Sequence, residues 1–339
     1  MNIHAPTAIH NQLDIIKDWK LAELHVHLGA SVAPPILWEI AHMQGIKLPT
    51  KDYWKFIDLI TVHDKTDYHT YVTEFFHWTE LIQSSPEAVA TSVRSVIGGA
   101  YRVNNITTIE LRFNPMLRNR GGERDLDHII LSAIHAMEQA VMEYPVRAGL
   151  ILMFDRRFDR VKNEIIAEKA IKFAHRGVVG VDIGGPISDE FDITTLAPVF
   201  AMCKKAGLGI TVHTGEVTGP DEVRRVIESI NPDRIGHGIR ATEDVNLLKE
   251  LASRNITLEV CPTSNLKTQS VRNAASFKPI FAKLKKHRVA FTINTDGPEM
   301  LGTHLRDEYA WLLDNKLMTL ADLQTANETA HKASFITSQ

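Results

Sequence analysis

The chain has 339 residues, 44% of them hydrophobic and 23% charged, an ordinary globular composition that excludes disordered and collagen-like classes. Its 38 basic and 41 acidic side chains leave a net charge of −3, which gives no electrostatic reason to expect nucleic acid or an anionic membrane as a partner. Cys203 and Cys261 are too few for a disulfide framework or an all-thiolate zinc site.

No run of about 18 apolar residues offers a membrane span. The first residues lack a basic stretch followed by an apolar one, so no signal peptide is expected and a cytoplasmic protein is the default. Nothing in the composition marks a subunit interface.

Residues 1–20 read as a polar N-terminal extension, and 21–339 as a single domain. From residue 21, short β-branched runs alternate with longer amphipathic ones. The expected strands are 21–28, 106–115, 147–155, 178–185, 208–216, 234–239, 256–265 and 288–298. Helical patterns lie between them at 125–144, 160–176, 193–206, 242–254 and 277–287. Alternation of this kind argues a parallel sheet, and eight units argue an α/β fold closed as a (β/α)8 TIM barrel. No GxGxxG opens the first turn, which weighs against a dinucleotide fold.

The connection after the first strand is long, about 32–105, and carries Tyr53, Trp54, Phe56, Tyr68, Tyr71, Phe75, Phe76 and Trp78. Two readings stay open for this helical insertion: a lid over the catalytic face, or an extra layer with a small core of its own.

Polar residues interrupt the apolar strands in a pattern. His25 and His27 stand two apart on the first strand and so share a face. Imidazoles on a barrel face cost desolvation unless something binds them. His213 and Glu216 close the fifth strand, His237 the sixth and Asp296 the eighth. Chemistry in a barrel sits at these C-terminal strand ends. Singly, each has a bland reading: a bonded core histidine, a carboxylate at a helix start, a turn aspartate. Jointly, three histidines and a carboxylate suit Zn²⁺, one per chain, although iron or manganese also fits the donor set. Such a metal activates water near neutral pH.

The motifs ELHVHL at 23–28, ELRFNP at 110–115, VDIGG at 181–185, HTGE at 213–216, RIGHG at 234–238, EVCPTSNL at 259–266 and NTDGPEM at 294–300 together resemble the adenosine deaminase family of zinc hydrolases. The likeness extends from about residue 21 to ANETAHKASF at 326–335. It implies release of ammonia from the 6-amino group of a purine nucleoside or nucleotide. It implies metal ligation by His25, His27, His213 and Asp296. Glu216 would donate a proton to the ring nitrogen beside the attacked carbon, and His237 would orient the attacking water. Gly185 would meet the purine through its backbone, and His27 would also border it. Protonating a ring nitrogen breaks aromaticity and lets ammonia leave, a task suited to a carboxylic acid. Two distant cysteines exclude the other zinc deaminase design, which needs PCxxC.

Two positions depart from the family pattern. Gly29 stands where relatives carry an aspartate that holds the ribose 5′-hydroxyl. Gly297 stands where they carry a second aspartate that contacts N7. Loss of both carboxylates points to a 5′-substituted adenosine as substrate, with a 5′-phosphate, a 5′-thioether or aminodeoxyfutalosine as candidates. A water filling each gap, with adenosine still accepted, is the competing reading. The loop 116–124 offers Arg118, Arg120 and Arg124, either as phosphate ligands or as a solvated turn. Other classes stay open: a different hydrolase of the same superfamily, or a non-catalytic nucleoside binder.

Overall fold

The computed structural model describes residues 15–119, 125–188 and 190–337. All eight expected strands are present: β1 Leu21–His27, β2 Ile106–Phe113, β3 Arg147–Asp155, β4 Val178–Gly184, β5 Gly209–Thr214, β6 Arg234–His237, β7 Thr257–Val260 and β8 Phe291–Ile293. They form one sheet in sequence order, each pair parallel. Helices follow the strands around the outside, so the strands are buried on both faces, as their continuous apolar runs require. None of the helices among the described residues is long and apolar enough to cross a membrane.

Ring closure falls between β8 and β1. Asp296 bridges to Val26, its N–H donates to the His25 carbonyl at 3.0 Å, and its carbonyl accepts from His27 N–H at 2.8 Å. Side chains complete the seam. Asn294 Oδ1 accepts from Leu24 N–H at 3.1 Å, and Glu23 Oε1 accepts from Thr295 N–H at 2.9 Å. A register shift against β2 lies between Glu23 and Val26, the kind of irregularity that re-aims side chains beside a site.

The last two strands end earlier than the apolar pattern suggests. Pro262 and Pro298 each open a short helix, Pro262–Lys267 and Pro298–Leu301, because a proline fits the first helical turn and cannot continue a ladder. These turns carry the sequence away from the sheet and over its C-terminal rim.

The connection between β1 and β2 holds helices Pro34–Met43, Tyr53–Ile60, Phe76–Ile82 and Pro86–Asn104, with a π turn at Tyr71–Phe75. Asp52 and Ser85 cap two of these helices through their side chains, worth about 1 kcal/mol each. Tyr71, Val72, Phe75 and Phe76 pack with Ala30, Val62, Met300 and Leu301 in a small cluster apart from the main core.

The opposite end of the barrel is shut by the C-terminal helix Leu320–Ala333 and the residues after it. Asn327 accepts from Ala22 N–H at 3.1 Å and donates to the Lys20 carbonyl at 2.9 Å. Phe335 lies against Gly180 and Gly209, and the Arg234 guanidinium sits 3.6 Å from its ring centroid. A Cβ on Gly209 would stand 2.2 Å from the ring. Gly209→Ala should therefore lower stability by about 1–3 kcal/mol through overpacking. In a Phe335→Ala background the same change should cost far less, which a double-mutant cycle of thermal melts measures.

Candidate active site

Four imidazoles and one carboxylate converge at the C-terminal rim. His27 Nε2 lies 3.2 Å from His213 Nε2 and 3.2 Å from Asp296 Oδ1, and His25 Nε2 lies 3.7 Å from that same oxygen. His25, His213 and His237 also offer ring nitrogens within 4.8 Å of one another. His25 Nε2 is buried without a hydrogen-bond partner, an arrangement a bound cation resolves. Nitrogen and carboxylate donors at this spacing fit a divalent metal such as zinc.

Burial lowers the His27 imidazole well below its usual pKa, and the neighbouring His213 and His25 add to the effect against Asp296. Burial also lowers that of His237, against the pull of Glu216. Neutral rings are the form that binds metal. Burial raises Asp296, but its bond to His25 and the closeness of the His27 and His25 rings outweigh this and hold it well below the usual carboxylate range.

Two of these rings are fixed from behind. His25 Nδ1 meets Glu259 Oε2 at 2.7 Å, and His213 Nδ1 lies 2.8 Å from Asp182 Oδ2. Arg112 joins the two carboxylates, reaching Asp182 at 2.7 Å and Glu259 at 2.9 Å. Arg234 then ties Glu259 to Glu110, which accepts from Ser334 Oγ and Phe335 N–H at the far end of the barrel. The outer oxygen of Asp296 accepts from Ser264 Oγ at 2.7 Å and from the Tyr71 hydroxyl at 3.3 Å. His237 Nδ1 is 3.0 Å from Asn265 Nδ2.

His237 and Asp296 both adopt left-handed backbone, with φ of 60° and 66°. Non-glycine residues there cost of order 1–2 kcal/mol and are held by their surroundings. The strain turns both side chains over the rim.

A cleft of about 700 Å³, open mouth included, lies above the cluster. His27, His213, Glu216, His237 and Asp296 line its floor, and Gly29, Gly185, Tyr68, Tyr71 and Phe76 its walls. Glu216 Oε2 stands 3.6 Å from His237 Nε2, while Oε1 accepts from Thr268 Oγ1 at 3.1 Å and Ser270 Oγ at 3.3 Å. The Gly185 carbonyl accepts from Tyr68 OH at 3.2 Å and Arg156 Nη1 at 3.1 Å, so its N–H is the backbone group it can turn to a ligand.

The adenosine deaminase family model matches residues 20–339. The chain belongs to the adenosine deaminase family. Its chemistry is hydrolytic deamination of adenine nucleosides or nucleotides, and the chain is an enzyme of that class. It is 30% identical over 322 residues to the adenosine deaminase of Clostridium kluyveri, covering 95% of this chain and 91% of that one. Among solved structures, the Arabidopsis N6-mAMP deaminase MAPDA superposes with a TM-score of 0.82 at 23% identity, covering 95% of each chain. A zinc-bound amidohydrolase from Burkholderia ambifaria gives 0.86 at 17% identity, covering 99% of this chain and 90% of that one. Both share its fold.

The deaminase geometry gathers His25, His27, His213, Glu216, His237 and Asp296 in one place, with Gly29 and Gly185 on the cleft wall. Gly297 is placed differently: its Cβ position is 2.5 Å from Ala30 Cβ and 3.2 Å from the Tyr71 hydroxyl, so it faces the insertion and not the open cleft. Arg118 lines the cleft, whereas Arg120 and Arg124 lie outside the described residues. Sequence reasoning passed over Arg112, Asp182 and Glu259, although charged residues inside apolar strands carry the same signal as the histidines. Tyr71 was legible only as one of the aromatics of the insertion and Ser264 only as part of the 259–266 motif, while Thr268, past the end of the apolar run, carried no signal.

Asp182→Asn should weaken metal affinity about 10- to 100-fold, because His213 loses the carboxylate that fixes its ring. Competition with a chelator, read as metal content of the recovered protein, measures it. Unchanged retention would remove Asp182 from the metal site.

Proposed function

We propose that this chain is a zinc-dependent deaminase whose substrate is an adenine nucleotide carrying a 5′-phosphate. His25, His27, His213 and Asp296 would hold the zinc, whose Lewis acidity when bound activates water at neutral pH. Glu216, beside His237 on the cleft floor, would pass a proton to the ring nitrogen beside C6. His237, 3.6 Å from Glu216 and braced by Asn265, orients the attacking water through Nε2. Water adds at C6, the C6–N bond breaks, ammonia leaves and the ring keeps a 6-oxo group.

The observation that supports the phosphate is the surroundings of Gly29. A side chain there would meet Arg118 Nη2 at 3.1 Å and the Phe76 ring at 3.1 Å. The glycine thus lets the buried Arg118 guanidinium and the Phe76 ring close in on the cleft wall, and the planar fork of that guanidinium matches phosphate oxygens. Asp155, on the same wall, is neutralised by Arg157 through two bonds of 2.8 and 2.6 Å. The structural neighbour named as an N6-mAMP deaminase acts on such a monophosphate, which accords with this reading.

An ammonia-release panel of adenosine, AMP, dAMP, N6-methyl-AMP, methylthioadenosine and aminodeoxyfutalosine tests it, with methylamine followed for the N6-methyl compound. The monophosphates should lead, and a clear lead for adenosine would overturn the phosphate assignment. Arg118→Gln should lower kcat/KM on the preferred monophosphate about 10- to 100-fold, the worth of a hydrogen bond to a charged group, and spare the nucleoside. Glu216→Gln should cut kcat at least about 100-fold on every substrate while zinc content stays at wild-type level.

A further inference from the structure

We infer that Tyr71 is a specificity-determining residue whose hydroxyl donates a hydrogen bond to the imidazole-ring nitrogen N7 of the bound purine. The inference rests on the deaminase reading above and adds a substrate contact from the insertion.

Tyr71 begins the π turn Tyr71–Phe75, a rare backbone irregularity that is frequent at functional sites. The turn carries the ring into the cleft wall, where it meets Phe76 edge-on at a centroid distance of 5.4 Å. Phe76 in turn meets His27 edge-on at 5.9 Å. Tyr71 is therefore packed against the metal-facing residues from the insertion side, and only 4% of its surface is exposed.

Its hydroxyl donates to Asp296 Oδ2 at 3.3 Å, well beyond the usual ~2.7–2.8 Å for such a bond. Ser264 already donates to that oxygen at 2.7 Å. Asp296 can lose the tyrosine and remain satisfied, so the hydroxyl is free to turn to a ligand. Gly297 makes the position possible, because a Cβ there would press on the hydroxyl at 3.2 Å and strike Ala30 at 2.5 Å.

Adenine chemistry selects the partner. A ring whose C6 faces the histidine cluster presents N1 on one side of the amino group and N7 on the other, across C5. Glu216 serves N1. In neutral adenine N7 bears a lone pair and no proton, so it can only accept. A neutral tyrosine hydroxyl supplies a donor there, whereas a carboxylate must first be protonated to do so.

The test compares AMP with its 7-deaza analogue, in which a C–H replaces N7, on zinc-loaded wild type and Tyr71→Phe. The N7-to-C–H change also makes C6 less open to attack, in wild type and variant alike, so the quantity read is the difference between the two enzymes. Tyr71→Phe should narrow the preference for AMP about 10-fold in kcat/KM, the span of one neutral hydrogen bond, by slowing on AMP alone, with melting temperature and zinc content unchanged. Equal slowing on both substrates would mean that Tyr71 only braces Asp296, and an undiminished preference would place N7 elsewhere; either result overturns the inference. Calorimetric binding of the two 6-oxo products, inosine 5′-phosphate and its 7-deaza counterpart, gives the same contrast without turnover. A wild type that releases no ammonia from either substrate defeats the deaminase reading, and the calorimetry still decides Tyr71.

Discussion

One guanidinium sets the geometry of the site. Arg112 is fully buried on β2 and bridges Asp182 on β4 to Glu259 on β7. Those carboxylates hold the back nitrogens of His213 and His25. Burying three charges costs several kcal/mol each unless they are paired and bonded, so stability alone gives no reason to place them inside a barrel. Here each charge has its counterpart, and the result is two imidazoles locked with their free nitrogens toward a common point. Both carboxylates stay ionised. Burial pushes Asp182 up, but His213 and Arg112 hold it well below the usual range. Burial likewise raises Glu259, and Arg112 and Arg234 reverse it.

The same ion network passes through the barrel to its other end. Arg234 links Glu259 to Glu110 and stacks on Phe335, and Glu110 caps the chain at Ser334 and Phe335. The C-terminal segment thus supports the orientation of His25 from the opposite face. The seam between β8 and β1 supplies the remaining constraint. Asp296 exchanges backbone hydrogen bonds with the two residues whose imidazoles it faces, so closing the ring and assembling the ligand set are one event.

Much of this was legible in the sequence, and the reason is desolvation. A histidine, aspartate or glutamate inside an apolar β-branched run stands out because it is costly there, which marked His25, His27, His213 and Asp296 together with their strands. The same logic applies to Arg112 in ELRF and Asp182 in VDIG, where the charge is matched by another buried charge far away in sequence. No local pattern reveals that match. The rim was less legible. The apolar runs at 256–265 and 288–298 continue past the true strand ends, and Pro262 and Pro298 redirect the backbone into short helices. Ser264 and Thr268 reach Asp296 and Glu216 only because of that redirection.

Gly29 and Gly297 show why a missing side chain is hard to read from sequence. Each absence resembles an open space, yet the two are filled differently. At Gly29 the space is taken by the buried Arg118 guanidinium and the edge of Phe76, so a positive group stands where a side chain would otherwise project. At Gly297 the space is taken by Ala30 and the Tyr71 hydroxyl, so the change gives room to a neutral donor. Phe76 and Tyr71 come from one short stretch of the insertion after β1, and Arg118 comes from the rim after β2. The groups proposed to hold the metal, in contrast, come from β1, β5 and the β8 rim. On the proposed function, reaction chemistry and substrate choice are carried by separate parts of the chain. The ligand set is fixed by the closed ring, and the cleft walls can change around it without disturbing the buried charges beneath.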